Sequence, residues 1–82
     1  MPIIRNDFPE HREIVEKIHR ELMYVNLDIR KVENKKTPAY TERGVIYLDG
    51  EYNRDRDVFA GNLTHEGAHL VVDPVIVLEW LK

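Results

Sequence analysis

The sequence predicts a single small α+β domain that covers residues 1–82. Three observations lead to this prediction. A segment with apolar residues at helical spacing comes first, segments with alternating apolar and polar residues follow, and further helical segments come last. A chain of this length buries only about 60% of its unfolded surface, so it has room for one hydrophobic core.

The N-terminal helix is expected to extend from about Phe8 to Met23. Asp7 and Glu10 have the spacing of a capping box, and Pro9 suits a first turn, where its missing N–H is not needed. Apolar residues recur every three or four positions, with charged residues on the other side. These apolar residues are Ile14, Val15, Ile18 and Leu22.

Three extended segments then predict a small sheet that is antiparallel in at least part. In the first, Val25 to Arg30, apolar and polar residues alternate, which indicates a strand with one solvent-exposed face. The second is AYTER, Ala39 to Arg43, and the third is GVIYLDG, Gly44 to Gly50. The third is rich in β-branched and aromatic residues and ends with an Asp-Gly turn signal.

Two helices are predicted after the sheet. The first is capped by Asp55 or Asp57 and extends to about Val72, because Asp73-Pro74 interrupts it. The second extends from Val75 to Lys82 and is apolar on almost all sides. We therefore expect it to be covered, either by the rest of the chain or by another copy in a homo-oligomer.

Composition and charge narrow the functional classes. The chain has no cysteine, which excludes disulfides, thiolate metal sites and thiol nucleophiles. Its net charge is -3 and its basic residues are scattered among acidic ones, so no nucleic-acid surface is expected. The longest apolar run, Val75 to Leu78, is too short to span a membrane, and the N-terminus does not resemble a signal peptide. A cytoplasmic protein is expected.

The predicted helix before Asp73 carries a His-Glu-x-x-His pattern in THEGAH. On a helix, His65 and His69 lie one turn apart on the same side, so both imidazoles can reach one metal ion. Glu66 is close enough to take a proton from a water molecule at that ion. The opposite side is apolar and consists of Phe59, Ala60, Leu63, Gly67, Leu70 and Val71. The pattern also arises by chance on ordinary surface helices.

Gly67 lies in the middle of this predicted helix. Glycine there costs about 1 kcal/mol relative to alanine, so a structural requirement should favour the missing side chain. We expect close packing against the sheet or against the N-terminal helix.

The segment THEGAHLVV, preceded by the extended GVIYLDG, resembles the zincin metallopeptidases. The order of elements is most similar to the minimal single-domain gluzincins, the minigluzincins. This resemblance implies a zinc-dependent endopeptidase that hydrolyses peptides or unfolded proteins. It implies Zn²⁺ ligation by His65 and His69, with Glu66 as general base and acid. It also implies that GVIYLDG is an edge strand that pairs with the substrate, and that a terminal segment can cover the active site in a latent form.

The same resemblance implies Glu79 as the third zinc ligand, since it is the glutamate on the helix that follows the motif. Nine residues separate it from His69, fewer than is usual in the family. Asp73 competes for this role, although it lies about 12 Å along the helix from His65. The remaining alternatives are water, a group from another chain, His11 and His19. These last two histidines are on the charged N-terminal helix and are expected to be exposed.

Two other functional classes stay open. One is a non-catalytic domain in which the zinc or the histidine pair is structural and the apolar C-terminal helix forms a homo-oligomer. A closed site with four protein ligands would indicate structure, whereas three protein ligands and water would indicate hydrolysis. The other is metal-assisted hydrolysis of a nonpeptide substrate, although the chain has no phosphate-binding loop or basic groove.

Overall fold

The computed structural model describes residues 4–71, which form two helices and a four-stranded mixed sheet. The strands are β1 (Ile4–Asn6), β2 (Leu27–Val32), β3 (Ala39–Glu42) and β4 (Val45–Asp49). The helices are α1 (Arg12–Glu21), which follows a 3₁₀ turn at Pro9–His11, and α2 (Arg56–Val71). The α+β class is confirmed. Each predicted element within this range is present, and none of the helices described here is long and apolar enough to cross a lipid bilayer.

One feature differs from the expected list of elements, and one expected element cannot be compared. Strand β1 is additional, because three residues are too few to show an alternating pattern. The helix expected at Val75 to Lys82, and with it the expected homo-oligomer contact, lies outside the described residues.

The strand order in the sheet is β1-β2-β4-β3. Strands β1, β2 and β4 are parallel, whereas β3 is antiparallel to β4 and pairs Tyr40 with Tyr47. The expectation that GVIYLDG forms the edge is therefore wrong, because β4 lies between β2 and β3. Alternation indicates that a strand has one buried face, but it does not indicate which strands flank it. In residues 4–71, the edge strand beside α2 is β3.

Helices α1 and α2 pack against each other, and α2 also contacts β3 and β4. The core they enclose comes from helix positions at three- and four-residue spacing and from alternate strand positions. Its buried residues are Phe8, Val15, Ile18, Leu27, Ile29, Ile46, Leu48, Phe59 and Leu63. The expected close contact at Gly67 is confirmed, since a Cβ there would lie 2.5 Å from Leu22 Cδ1. Leu22 directly follows α1, so the glycine lets the two helices approach.

The predicted N-terminal cap is absent from α1 and present on α2. No side-chain cap begins α1, so the predicted capping box of Asp7 and Glu10 is wrong. Asp7 Oδ2 instead accepts a hydrogen bond from the backbone N–H of Lys31 in β2. The predicted cap at Asp55 is confirmed, because its Oδ2 accepts from the N–H groups of Asp57 and Val58, each at 3.0 Å.

His11 and His19 are buried, each with 6% of its surface exposed, so the expectation of exposed histidines is wrong. His11 Nε2 lies 2.9 Å from the carbonyl oxygen of Asn53, and His19 Nε2 lies 2.9 Å from that of Val25. The His11 ring also packs against Phe59, with 4.4 Å between centroids. An imidazole whose polar nitrogen has a carbonyl partner can be buried without an unpaired polar group.

Asp49 is a buried carboxylate at the end of β4, with 1% of its surface exposed. It accepts backbone hydrogen bonds from Tyr52 at 2.9 Å, Asn34 at 2.7 Å and Glu51 at 3.0 Å. These bonds stabilise the charged form, so they hold the pKa of Asp49 below its usual 3.8. The carboxylate thereby fixes the loop that follows β2 and the loop that follows β4.

We expect Asp49→Asn to lower the free energy of unfolding at pH 7 and to make it depend less on pH in the acidic range. The pKa of Asp49 is lower in the folded state, so its contribution is present above the unfolded pKa and is lost as the pH falls through the folded value. Urea denaturation at pH 7 and pH 3 measures both effects. The midpoints of parent and variant should converge at the lower pH, and a constant difference between them would contradict the prediction.

Candidate metal centre

Helix α2 places His65 and His69 on one side of its C-terminal half. Their ring centroids are 5.1 Å apart, and the ring planes are nearly perpendicular at 85°. This proximity follows from the four-residue spacing, since successive turns of a helix bring such side chains together. The His65 side chain is 74% exposed, so it is free to rotate towards a shared ligand.

The carboxylate of Glu66 lies close to both imidazoles. The possible ligand atoms of His65, Glu66 and His69 all lie within 4.8 Å of one another. Within residues 4–71, no other group of three or more histidine or acidic side chains is arranged in this way. Two nitrogens and an oxygen are donors that suit Zn²⁺. The group could therefore hold a metal ion, and His65 and His69 would offer it two nitrogen ligands.

Glu66 differs from its neighbours because its side chain is only 9% exposed. At 100° per residue, it lies between the histidine side of α2 and the apolar side that faces the sheet. Its Oε1 accepts a hydrogen bond of 2.9 Å from the hydroxyl of Thr41 in β3. Its Oε2 lies 3.8 Å from Nε2 of His65. One carboxylate oxygen is thus held by the sheet, and the other faces the imidazole.

The sequence pattern did not identify Thr41 as part of the site. The sequence indicates that AYTER is an extended segment but gives neither its neighbour in the sheet nor its register. In the structure, Thr41 pairs with Ile46 and so shares the helix-facing side of the sheet.

The N-terminal half of α2 is anchored by asparagines. Asn62 donates to Oδ1 of the fully buried Asn53 at 2.8 Å. Asn53 in turn donates to the carbonyl oxygens of Pro38 and Asp49. These bonds connect α2 to the end of the β3–β4 pair where β3 begins and β4 ends, which fixes the helix relative to the edge strand.

Among the residues described, the other candidate ligands are not part of this cluster. His11 and His19 hydrogen-bond to backbone carbonyls elsewhere in the core and do not join it. Glu79, the implied third ligand, and its competitor Asp73 lie outside the described residues. The part of the site that the structure describes therefore consists of His65, Glu66 and His69, with Thr41 behind the carboxylate.

Comparisons with known proteins do not assign this arrangement to a family. Family models, curated proteins and solved structures gave no significant match to the chain. The functional interpretation of the site therefore depends on its residues and their geometry.

Proposed function

We propose that this protein is a zinc-dependent metalloendopeptidase that hydrolyses bonds in peptides or unfolded proteins. The observation that supports this most directly is the clustering of two imidazoles and one carboxylate within 4.8 Å on α2. The carboxylate is adjacent in sequence to the first imidazole and is held from behind by the edge strand. A base fixed beside two metal-type ligands is the minimum that metal-assisted hydrolysis requires.

His65 and His69 would hold the zinc ion. The third protein ligand that we propose is Glu79, on the basis of the zincin resemblance. When bound, the ion supplies Lewis acidity that polarises a peptide carbonyl and makes a water molecule more acidic. The two histidines bind and orient it, and the exposure of His65 leaves this side of α2 accessible to a substrate.

Glu66 would move the proton in this reaction. Its Oε2 faces the histidine side, where it can accept a proton from the attacking water and then donate it to the leaving amine. Its Oε1 accepts the hydrogen bond from Thr41, which leaves Oε2 as the oxygen on the side of the histidines. The low exposure of the carboxylate reduces competition from bulk water and strengthens its hydrogen bonds.

Strand β3 supports a peptide as the substrate. Asp49 N donates to Pro38 O at 3.0 Å, and this bond sets the alternation of the β3–β4 ladder. By that alternation, Tyr40 and Glu42 bond to β4, whereas the main-chain groups of Ala39 and Thr41 point to the outer edge. No strand lies beyond β3 in the described part of the chain, so an extended peptide can pair with it.

Metal content of the purified protein tests the first step. We expect elemental analysis to give about one zinc per chain in the parent, in line with a mononuclear site. Removal of a partner outside the coordination sphere already costs about 10–100-fold in affinity, so His65→Ala should cost more. Zinc that stays bound at full stoichiometry in His65→Ala, or is missing in the parent, would contradict this assignment.

A non-catalytic zinc site is the alternative, and the 74% exposure of the His65 side chain favours it. An exposed imidazole can be shared with a second chain that completes a closed site. X-ray absorption spectroscopy of the zinc protein distinguishes the two functions. Four protein ligands together with no cleavage of casein would support the structural site, whereas three protein ligands and a water would support the peptidase.

A further inference from the structure

We infer that Thr41 is a positioning residue that aims the Glu66 carboxylate from the edge strand. The inference deepens the proposed peptidase function and rests on it for its effect on turnover. Its structural part concerns only the chain itself, namely that the Thr41 hydroxyl determines the orientation of Glu66. Nothing in the His-Glu-x-x-His pattern includes this residue, which is 25 positions from Glu66 in sequence.

The hydroxyl of Thr41 has two acceptors within reach but only one proton. Glu66 Oε1 lies at 2.9 Å, whereas the backbone carbonyl oxygen of Glu66 lies at 3.4 Å. The shorter distance and the charge of a carboxylate both favour donation to Oε1. That bond fixes one oxygen on the sheet side, and the geometry of the carboxylate then directs Oε2 towards His65.

Without this bond, Glu66 would have little reason to keep its orientation. A glutamate has three side-chain torsions, and fixing them costs conformational entropy. Its carboxylate would also remain poorly hydrated beside the apolar face of α2 without a hydrogen-bond partner. The side chain would then sample rotamers that turn it towards solvent. A misplacement of about 1 Å is enough to cost about 10²-fold in rate when a reacting group must be aligned.

Thr41 also connects this orientation to the substrate. Its side chain faces α2, while the ladder alternation directs its main-chain N–H and C=O to the outer edge of β3. A peptide that pairs with this edge would bond to the same residue that holds Glu66. Thr41 would therefore determine both the register of the bound peptide and the orientation of the Glu66 carboxylate.

The test compares Thr41→Val, which removes the hydroxyl while preserving shape, with Thr41→Ser, which restores it. We expect Thr41→Val to lower kcat by about 10–100-fold with KM and zinc content unchanged, because the lost interaction concerns the reacting geometry. Thr41→Ser should recover most of that loss. Thr64→Val is the matched control, since the Thr64 hydroxyl bonds to the carbonyl oxygen of Ala60 and does not contact Glu66.

A second measurement uses the metal-free protein and does not depend on activity. NMR coupling constants of the Glu66 side chain should indicate one rotamer in the parent and in Thr41→Ser, and an average of rotamers in Thr41→Val. A single unchanged rotamer in Thr41→Val would overturn the inference, as would an undiminished kcat. Thr41→Ala gives the same comparison should Thr41→Val fail to fold. A parent with neither zinc nor cleavage would overturn the peptidase alone, since the rotamer comparison still decides the role of Thr41.

Discussion

Glu66→Gln is expected to abolish most peptide cleavage while zinc stays bound. Glutamine has nearly the same size, and its amide oxygen can still accept the hydrogen bond from Thr41. It cannot take up a proton, so general base and acid catalysis is lost, which corresponds to about 10²–10⁴-fold in kcat. The measurement is the rate of cleavage of casein or a fluorogenic peptide, with zinc content determined on the same samples.

The control for this prediction is Glu21→Gln, the same chemical change at the exposed end of α1. It should cleave at the rate of the parent. Should Glu66→Gln also cleave at that rate with zinc present, Glu66 has been assigned the wrong role. A variant that loses its zinc would instead place Glu66 among the ligands.

Phe59→Ala is expected to cause the largest loss of stability, about 3–5 kcal/mol. Phe59 is fully buried near the start of α2, and its ring centroid lies 5.0 Å from that of Phe8 and 4.4 Å from that of His11. Its removal leaves a cavity between α2 and the segment before α1. Because small domains have a total stability of only about 5–15 kcal/mol, the variant should be partly unfolded at 37 °C.

Urea denaturation followed by circular dichroism measures this loss. Val58→Ala is the neighbouring control, because Val58 is 45% exposed and its substitution should change the free energy of unfolding by no more than about 0.5 kcal/mol. Equal midpoints for Phe59→Ala and the parent would show that the aromatic cluster does not stabilise the fold.

Local sequence pattern was sufficient for most of the elements and for the central part of the site. Periodicity predicted α1, α2 and β2, whereas residue composition and turn signals predicted the extended segments that form β3 and β4. The four-residue separation of His65 and His69 likewise predicted that their rings would be neighbours, since helix geometry alone determines that distance.

Features that depend on long-range pairing could not be predicted in this way. The position of β3 at the edge and the contact of Thr41 with Glu66 depend on strand order, which alternation does not specify. The burial of His11 depends on the carbonyl of Asn53, 42 residues away in the sequence. The sequence-based expectation that His11 is exposed used only its residue type and its charged neighbours, and neither shows that a distant carbonyl group is available as a hydrogen-bond partner.

The contact between Gly67 and Leu22 has a consequence for how this sequence can vary. Gly67 lies between Glu66 and His69. The distance between the two helices and the direction in which the His65 and His69 side chains point therefore both depend on this position. An alanine there requires only that the tip of Leu22 rotate, whereas a bulkier residue requires a shorter one at position 22. Enlarging substitutions at position 67 are therefore expected to occur together with a smaller residue at position 22, and a single enlargement at position 67 is expected to turn the face of α2 that carries His65 and His69 away from the sheet.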